Sequence, residues 1–150
     1  MNRCFAALTL SVLVSACTIA PPANDAVIRE SVIETALGQI GRPYHYGGAD
    51  PSGFDCSGLV QYSYALAGVK VPRTARDLMD AGKHISLHDA RPGDLLFYRF
   101  DDKGDALHVA IYLGEGQMVH APESGRQVTV IPLDPQIWSD RFVAAVRIVP

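Results

Sequence analysis

Cysteine is scarce in this chain: Cys4, Cys17 and Cys56 are all that 150 residues contain. Positive charge is not in excess either, and a net charge of −3 leaves no basic footprint of the kind nucleic acid requires. Charged residues make up only 19% against 48% hydrophobic ones, which excludes a disordered chain and suits one globular core. Internal repeats, low-complexity segments and a composition break that would mark a second domain are all missing. Closely spaced metal ligands and an HExxH-type helix are missing too, so no metal or other cofactor is expected.

The one strongly apolar run, Cys4 to Val14, follows Arg3 and is too short to span a bilayer as a mature helix. The segment after it, Leu13-Val14-Ser15-Ala16-Cys17, resembles the lipobox of bacterial lipoproteins. The resemblance implies a signal peptide over residues 1–16, cleavage before Cys17 and lipidation of that cysteine. Several acyl chains together hold a protein stably at a membrane, where one alone does not. Residues 17–24, with Pro21-Pro22, then form a tether. Its seven residues after Cys17 reach at most roughly 25 Å. Thr18 stands where Asp would mark retention at the inner membrane, so the expected address is the periplasmic face of the outer membrane. With Cys4 removed and Cys17 capped, Cys56 is the remaining thiol. A lone thiol in an oxidising compartment is a liability unless it is used.

Residues 25–150 read as one α+β domain, expected to act as a monomer. Asn24 or Asp25 can cap a first helix with Ile28, Val32, Ile33, Ala36, Leu37 and Ile40 on one face, ended by Gly41 and Pro43. A strand-less, glycine-rich loop leads to a second helix that Asp55 caps and Cys56 opens, stopped by Gly68. Thr74 and Asp77 form a capping-box pattern for a short third helix. From His84 onward the period changes. His84–Leu87, Leu95–Phe100, His108–Leu113, Gln117–His120, Val128–Ile131 and Phe142–Val149 read as strands of an antiparallel sheet. Helices first and strands after indicate α+β.

Three residues stand out chemically. Cys56 lies in the first turn of its helix, where unpaired N–H groups and the helix dipole favour thiolate. His108 and His120 flank Gly114-Glu115-Gly116. A three-residue loop would pair residue 113 with 117 and 110 with 120, placing both imidazoles on one face. A two-residue loop would throw His120 to the other side.

Six segments in order, PYHYGG (43–48), FDCSGLV (54–60), PRT (72–74), PGDLLF (92–97), HVAIYLG (108–114) and VHAP (119–122), resemble the NlpC/P60 cell-wall peptidases. The resemblance implies a reduced papain-like fold, with the nucleophile helix packed on an antiparallel sheet. It implies Cys56 as nucleophile, His108 as general base, His120 as the residue that orients the imidazole, and Tyr44 beside the oxyanion. Asp55 and Ser57 would help bind a substrate amine. Peptidoglycan stem peptides are the implied substrate, cut at the γ-D-glutamyl-diaminopimelate or a cross-link bond. Arg42, Lys70, Arg73 and Arg76 are candidates for a diaminopimelate carboxylate, with Arg73 taken as substrate-binding and a solvated surface charge as the alternative at each. Where the family often has Ser and then Gln after PRT, this chain has Ala75 and Leu78, which bears on substrate preference or packing. No wall-binding module accompanies the domain, which leaves localisation to the lipid.

The helix dipole contributes only about 0.3–1 kcal/mol, at best about 2, or around one pKa unit. Cys56 is therefore expected to act as a thiolate paired to protonated His108, since a nearby imidazolium can supply what the dipole cannot. Two rival readings remain: a catalytically silent peptidoglycan-binding lipoprotein on the same scaffold, and a Cys–His₂ zinc site completed by water.

Overall fold

The computed structural model describes residues 24–100, 107–134, 136 and 139–150. The signal peptide, Cys17 and nearly all of the tether expected from the sequence lie outside the described residues. Among the described residues α-helices precede and flank a sheet. They are α1 (Asp25–Leu37), α2 (Cys56–Leu66) and α3 (Ala75–Asp80). The strands are β1 (Ala49–Asp50), β2 (Gly53–Phe54), β3 (Lys83–Ile85), β4 (Leu95–Arg99), β5 (Leu107–Gly114), β6 (Gln117–His120), β7 (Thr129–Pro132) and β8 (Phe142–Arg147). Among the described residues the main sheet has the order β3-β8-β4-β5-β6-β7, every neighbouring pair antiparallel. This is the α+β class expected, with α1 and α2 packed together and α2 against β5.

Alternation along the strands builds two apolar layers. Leu95, Phe97, Val109, Ile111, Val119 and Val146 pack with Val32, Ala36, Leu59, Val60, Tyr64 and Leu78 of the helices. Leu96, Tyr98, Ala110, Met118 and Ala145 form a second buried cluster with the opposite parity. Leu78 is fully buried in the first layer. A glutamine there would bring an amide needing partners in the core, so this departure from the family pattern is a packing choice.

Two expectations need correcting. The first helix does not reach Ile40: it ends at Leu37, capped at Gly38, and Ile40 is 52% exposed. Its backbone turns there because Gly41, at φ +86°, donates its N–H to Val128 O. The loop before Cys56 is not strand-less either. Ala49–Asp50 and Gly53–Phe54 pair as a two-residue ribbon around the Pro51-Ser52 turn. The pair is so short that periodicity could not reveal it.

The ribbon has a positional role. Gly48 O accepts the Asp55 N–H at 3.0 Å, and a methyl on Gly58 would overlap that same Gly48 carbonyl oxygen. Helix propensity alone would favour Ala at position 58 by about 1 kcal/mol. Overlap with backbone reverses the sign, and Gly58→Ala is expected to destabilise by roughly 1–3 kcal/mol. Urea unfolding reads this as a lower midpoint; an unchanged or raised midpoint would show that the 47–48 loop is not held against the helix.

Candidate active site

The start of α2 is built by Asp55. As N-cap it accepts Gly58 N–H at 2.7 Å on Oδ1, and its Oδ2 accepts Gly47 N–H at 3.0 Å. Arg73 reaches across from the segment before α3 and pairs with both oxygens, at 2.9 Å and 2.7 Å. Arg73 also donates to Ser57 Oγ at 2.8 Å, and Ser57 Oγ donates to Asp55 Oδ1 at 3.2 Å. Burial would raise the Asp55 carboxyl, but Arg73 and the two backbone N–H groups hold it below its ordinary value. Five donors therefore occupy a carboxylate with about four lone-pair directions. A substrate amine could reach Asp55 only by displacing one of them. Arg73 is no loose surface charge: it clamps the helix start.

This capping leaves the N–H groups of Cys56 and Ser57 outside the helix ladder, and both bear on the Cys56 sulfur. So does the N–H of Val109. Val109 is available because the β5–β6 register ends at Ile111↔Val119, so the start of β5 lacks a partner strand on that side. Here the electrostatics depart from expectation. Burial raises the Cys56 thiol, the ionised Asp55 adds to the rise, and the three N–H groups offset only part of it. A resting thiolate is not favoured.

The histidines meet as expected, by a different route. Gly114 pairs with Gln117, so the loop is the two residues Glu115-Gly116, both at positive φ (51° and 68°), the primed-turn geometry of tight hairpins. A register shift between Tyr112 and Gly114 adds one residue to β5 and restores the parity that a two-residue loop alone would have broken. Ile111 faces Val119, which is the register anticipated for residues 110 and 120. His108 Nε2 and His120 Nδ1 lie 2.8 Å apart, with ring planes at 84°. Phe100 packs edge-on against His108 at 5.4 Å between centroids.

Both rings are buried, 7% and 6% exposed. Burial, with His120 as a second cause, pushes His108 down to about 3, and burial pushes His120 down to about 4. Two neutral rings share one proton between facing nitrogens, so one donates and the other accepts. The two facing nitrogens are thus committed to each other. Among the described residues no group of three His, Cys, Asp or Glu side chains is placed to hold a metal.

Cys56, His108, His120, Tyr44, Asp55, Ser57 and Arg73 all line one cleft of about 1020 Å³. These seven are thus brought together, whereas Arg42 and Lys70, two of the four cations offered for a substrate carboxylate, do not line the cleft. Tyr44 is held by its N–H to Arg126 O at 2.9 Å and a bridge to Phe54. Burial and the nearby Cys56 raise its phenol, which keeps it a hydrogen-bond donor. Tyr46, Gly47, Thr74, Ala75, Arg76, Phe100, Leu107, Pro122 and Glu123 complete the described lining, and of these the sequence reading had singled out only Arg76 as a possible substrate contact. A separate hollow of about 770 Å³ beside α1, Pro92 and Pro150 holds none of these groups.

The profile of the NlpC/P60 family matches residues 41–147, a span that includes every residue of this cleft. The chain belongs to the NlpC/P60 family. It is 40% identical over 115 residues to the murein DD-endopeptidase MepH of Escherichia coli, covering 73% of this chain and 42% of that protein. It is 45% identical over 121 residues to the bifunctional muramidase/DL-endopeptidase CwlT of Bacillus subtilis, covering 79% of this chain and 36% of that one. The structure of the peptidoglycan hydrolase RipB from Mycobacterium tuberculosis superposes with a TM-score of 0.72 at 36% identity, over 93% of this chain and 74% of that one. The chain spans between 26% and 51% of the length of such curated relatives. As in other members of the NlpC/P60 family, helices pack on one antiparallel sheet.

Proposed function

We propose that the protein is a lipid-anchored cysteine endopeptidase that hydrolyses peptide bonds in peptidoglycan stem peptides. The observation that carries the reading is the 2.8 Å His108–His120 contact in the same cleft as a helix-start thiol. Family membership and relatives named for endopeptidase activity on murein support it. The lipobox-like segment at Leu13–Cys17 supports an anchor at Cys17 and a periplasmic site at the outer membrane.

The chemistry follows from the proton inventory. For His108 to act as base, the pair at 2.8 Å takes the tautomer in which Nε2–H donates to His120 Nδ1 and His108 Nδ1 is the basic nitrogen. Because burial keeps both partners neutral at rest, Cys56 gives its proton to Nδ1 as its sulfur attacks the carbonyl carbon. The resulting imidazolium retains its Nε2–H bond to His120, whose own ring stays neutral and accepts. Tyr44 OH and the Cys56 N–H meet the oxyanion. His108 then protonates the leaving amine, and water hydrolyses the thioester. Asp55, Ser57 and Arg73 hold the helix start, and an amine-binding role for Asp55 and Ser57 requires Arg73 to shift.

The test is incubation of residues 18–150 with purified muropeptides, followed by mass spectrometry. The parent should give a pair of fragments whose masses assign the bond, a chelator should not stop it, and Cys56→Ser should leave the substrate intact. Cleavage that survives in Cys56→Ser, or no fragment from any stem peptide, would remove the reading.

A further inference from the structure

Among the described residues two guanidinium groups line the cleft, and one of them has a partner. Arg73 is engaged through both terminal nitrogens by Asp55, Ser57 and the Gly48 carbonyl. Arg76 is exposed at the rim and, among the described residues, has no ion pair or hydrogen bond. Asp80, four residues on along α3, is placed for a helical ion pair but is not within bonding distance. Glu123, the other acid on the lining besides Asp55, is turned to Arg126 at 3.7 Å.

The position is also unfavourable for the helix. Arg76 is the second residue of α3, whose N-terminus carries partial positive charge, and a cation there is on the wrong end of the dipole. Helix stability therefore gives no reason for an arginine at this place. Of the four cations the sequence offered, Arg42 and Lys70 do not line the cleft and Arg73 is neutralised within it. Among the described residues, Arg76 is the one of the four that lines the cleft with no charged partner.

We infer that Arg76 is a specificity-determining residue, binding a free carboxylate of the substrate peptide. This rests on the endopeptidase reading and deepens it. Guanidinium pairs with carboxylate through two parallel N–H bonds, a geometry that a carboxamide cannot reproduce because one of its two polar atoms is a donor. A stem peptide carries two such groups near the bond in question, on D-glutamate and on diaminopimelate, and the chemistry of recognition is the same for either.

The experiment compares three synthetic stem peptides: the free acid, the amide at D-glutamate and the amide at diaminopimelate. Each is assayed for kcat/KM with the parent, Arg76→Gln and Arg76→Lys. The parent should prefer the free acid over one of the two amides by on the order of 10–100-fold, which identifies the carboxylate. In Arg76→Gln that ratio should collapse to within about twofold of unity, and Arg76→Lys should keep part of it because charge survives without the fork. An unchanged ratio in Arg76→Gln, or a parent that cuts all three peptides alike, would overturn the inference and leave the endopeptidase standing. If the parent cuts none, the endopeptidase reading falls instead. Calorimetric binding of the same uncut peptides then decides Arg76: a preference for the free acid that is lost in Arg76→Gln upholds the contact, and equal affinities refute it.

Discussion

His108→Ala is expected to lower kcat/KM for stem-peptide hydrolysis by at least about 10³-fold, while leaving the pH profile of Cys56 alkylation nearly unchanged. The two halves come from different quantities. Hydrolysis needs a base for the thiol proton and an acid for the leaving amine, and His108 Nδ1 is the nitrogen left for both once Nε2 is committed to His120 at 2.8 Å. Alkylation by iodoacetamide needs only the thiolate. Burial raises the thiol, Asp55 raises it further, and His108 is driven down to about 3, so at neutral pH it has no charge with which to stabilise the sulfur. Alkylation of the parent should follow one titration above the ordinary thiol range of about 8.5, and removing the ring should move it little. His120→Ala should cost less, roughly 10–100-fold, because it releases the orientation of His108 and not the base itself. Rapid alkylation of the parent down to pH 5 that disappears in His108→Ala would show a resting ion pair and refute the burial argument.

That reversal marks where sequence reading stops. The thiol at a helix start, its Asp cap and the two histidines on one hairpin face follow from short-range patterns, and each is found in place. Hairpin parity survived although the loop length did not, because a bulge at the end of β5 supplied the residue that the tighter turn removed. The direction of the Cys56 shift depends on what lies above the helix end. The Val109 N–H comes from fifty-three positions away, and no local periodicity encodes it. The Asp55–Arg73 clamp likewise joins residues eighteen apart through a loop of no regular pattern. Of four candidate cations the sequence reading took Arg73 as substrate-binding, and only the clamp separates it from Arg76. Ala75 and Leu78 were visible as departures from the family, but only burial says that Leu78 belongs to the core and that Ala75 faces the cleft.

Lowering the pH from 7.5 to 5 is expected to cost this domain about 4 kcal/mol of stability, with the loss traceable to His108 and His120. An unfolded histidine takes up a proton near pH 6.5. In the folded protein burial holds the two rings neutral until about 3 and about 4. Over the window between, the unfolded chain binds more protons, so stability falls as pH falls, with a slope approaching about 2.7 kcal/mol per pH unit for two groups. The other three histidines, His45, His84 and His88, are exposed. Asp55 acts in a separate window. Its depressed carboxyl contributes stability that is fully present above its unfolded value of about 3.9 and is lost only as pH falls through the still lower folded value. The two effects are therefore separable by pH alone. Urea unfolding at pH 7.5 and 5.0 measures the first, with the double variant His108→Gln, His120→Gln as control, because glutamine can keep a polar contact and does not titrate. The parent should lose about 4 kcal/mol between pH 7.5 and 5, and the double variant less than about 1. A parent whose stability is flat across that window would mean that the rings already carry charge in the folded state. The neutral His108–His120 pair, and the proton path built on it, would then have to be abandoned.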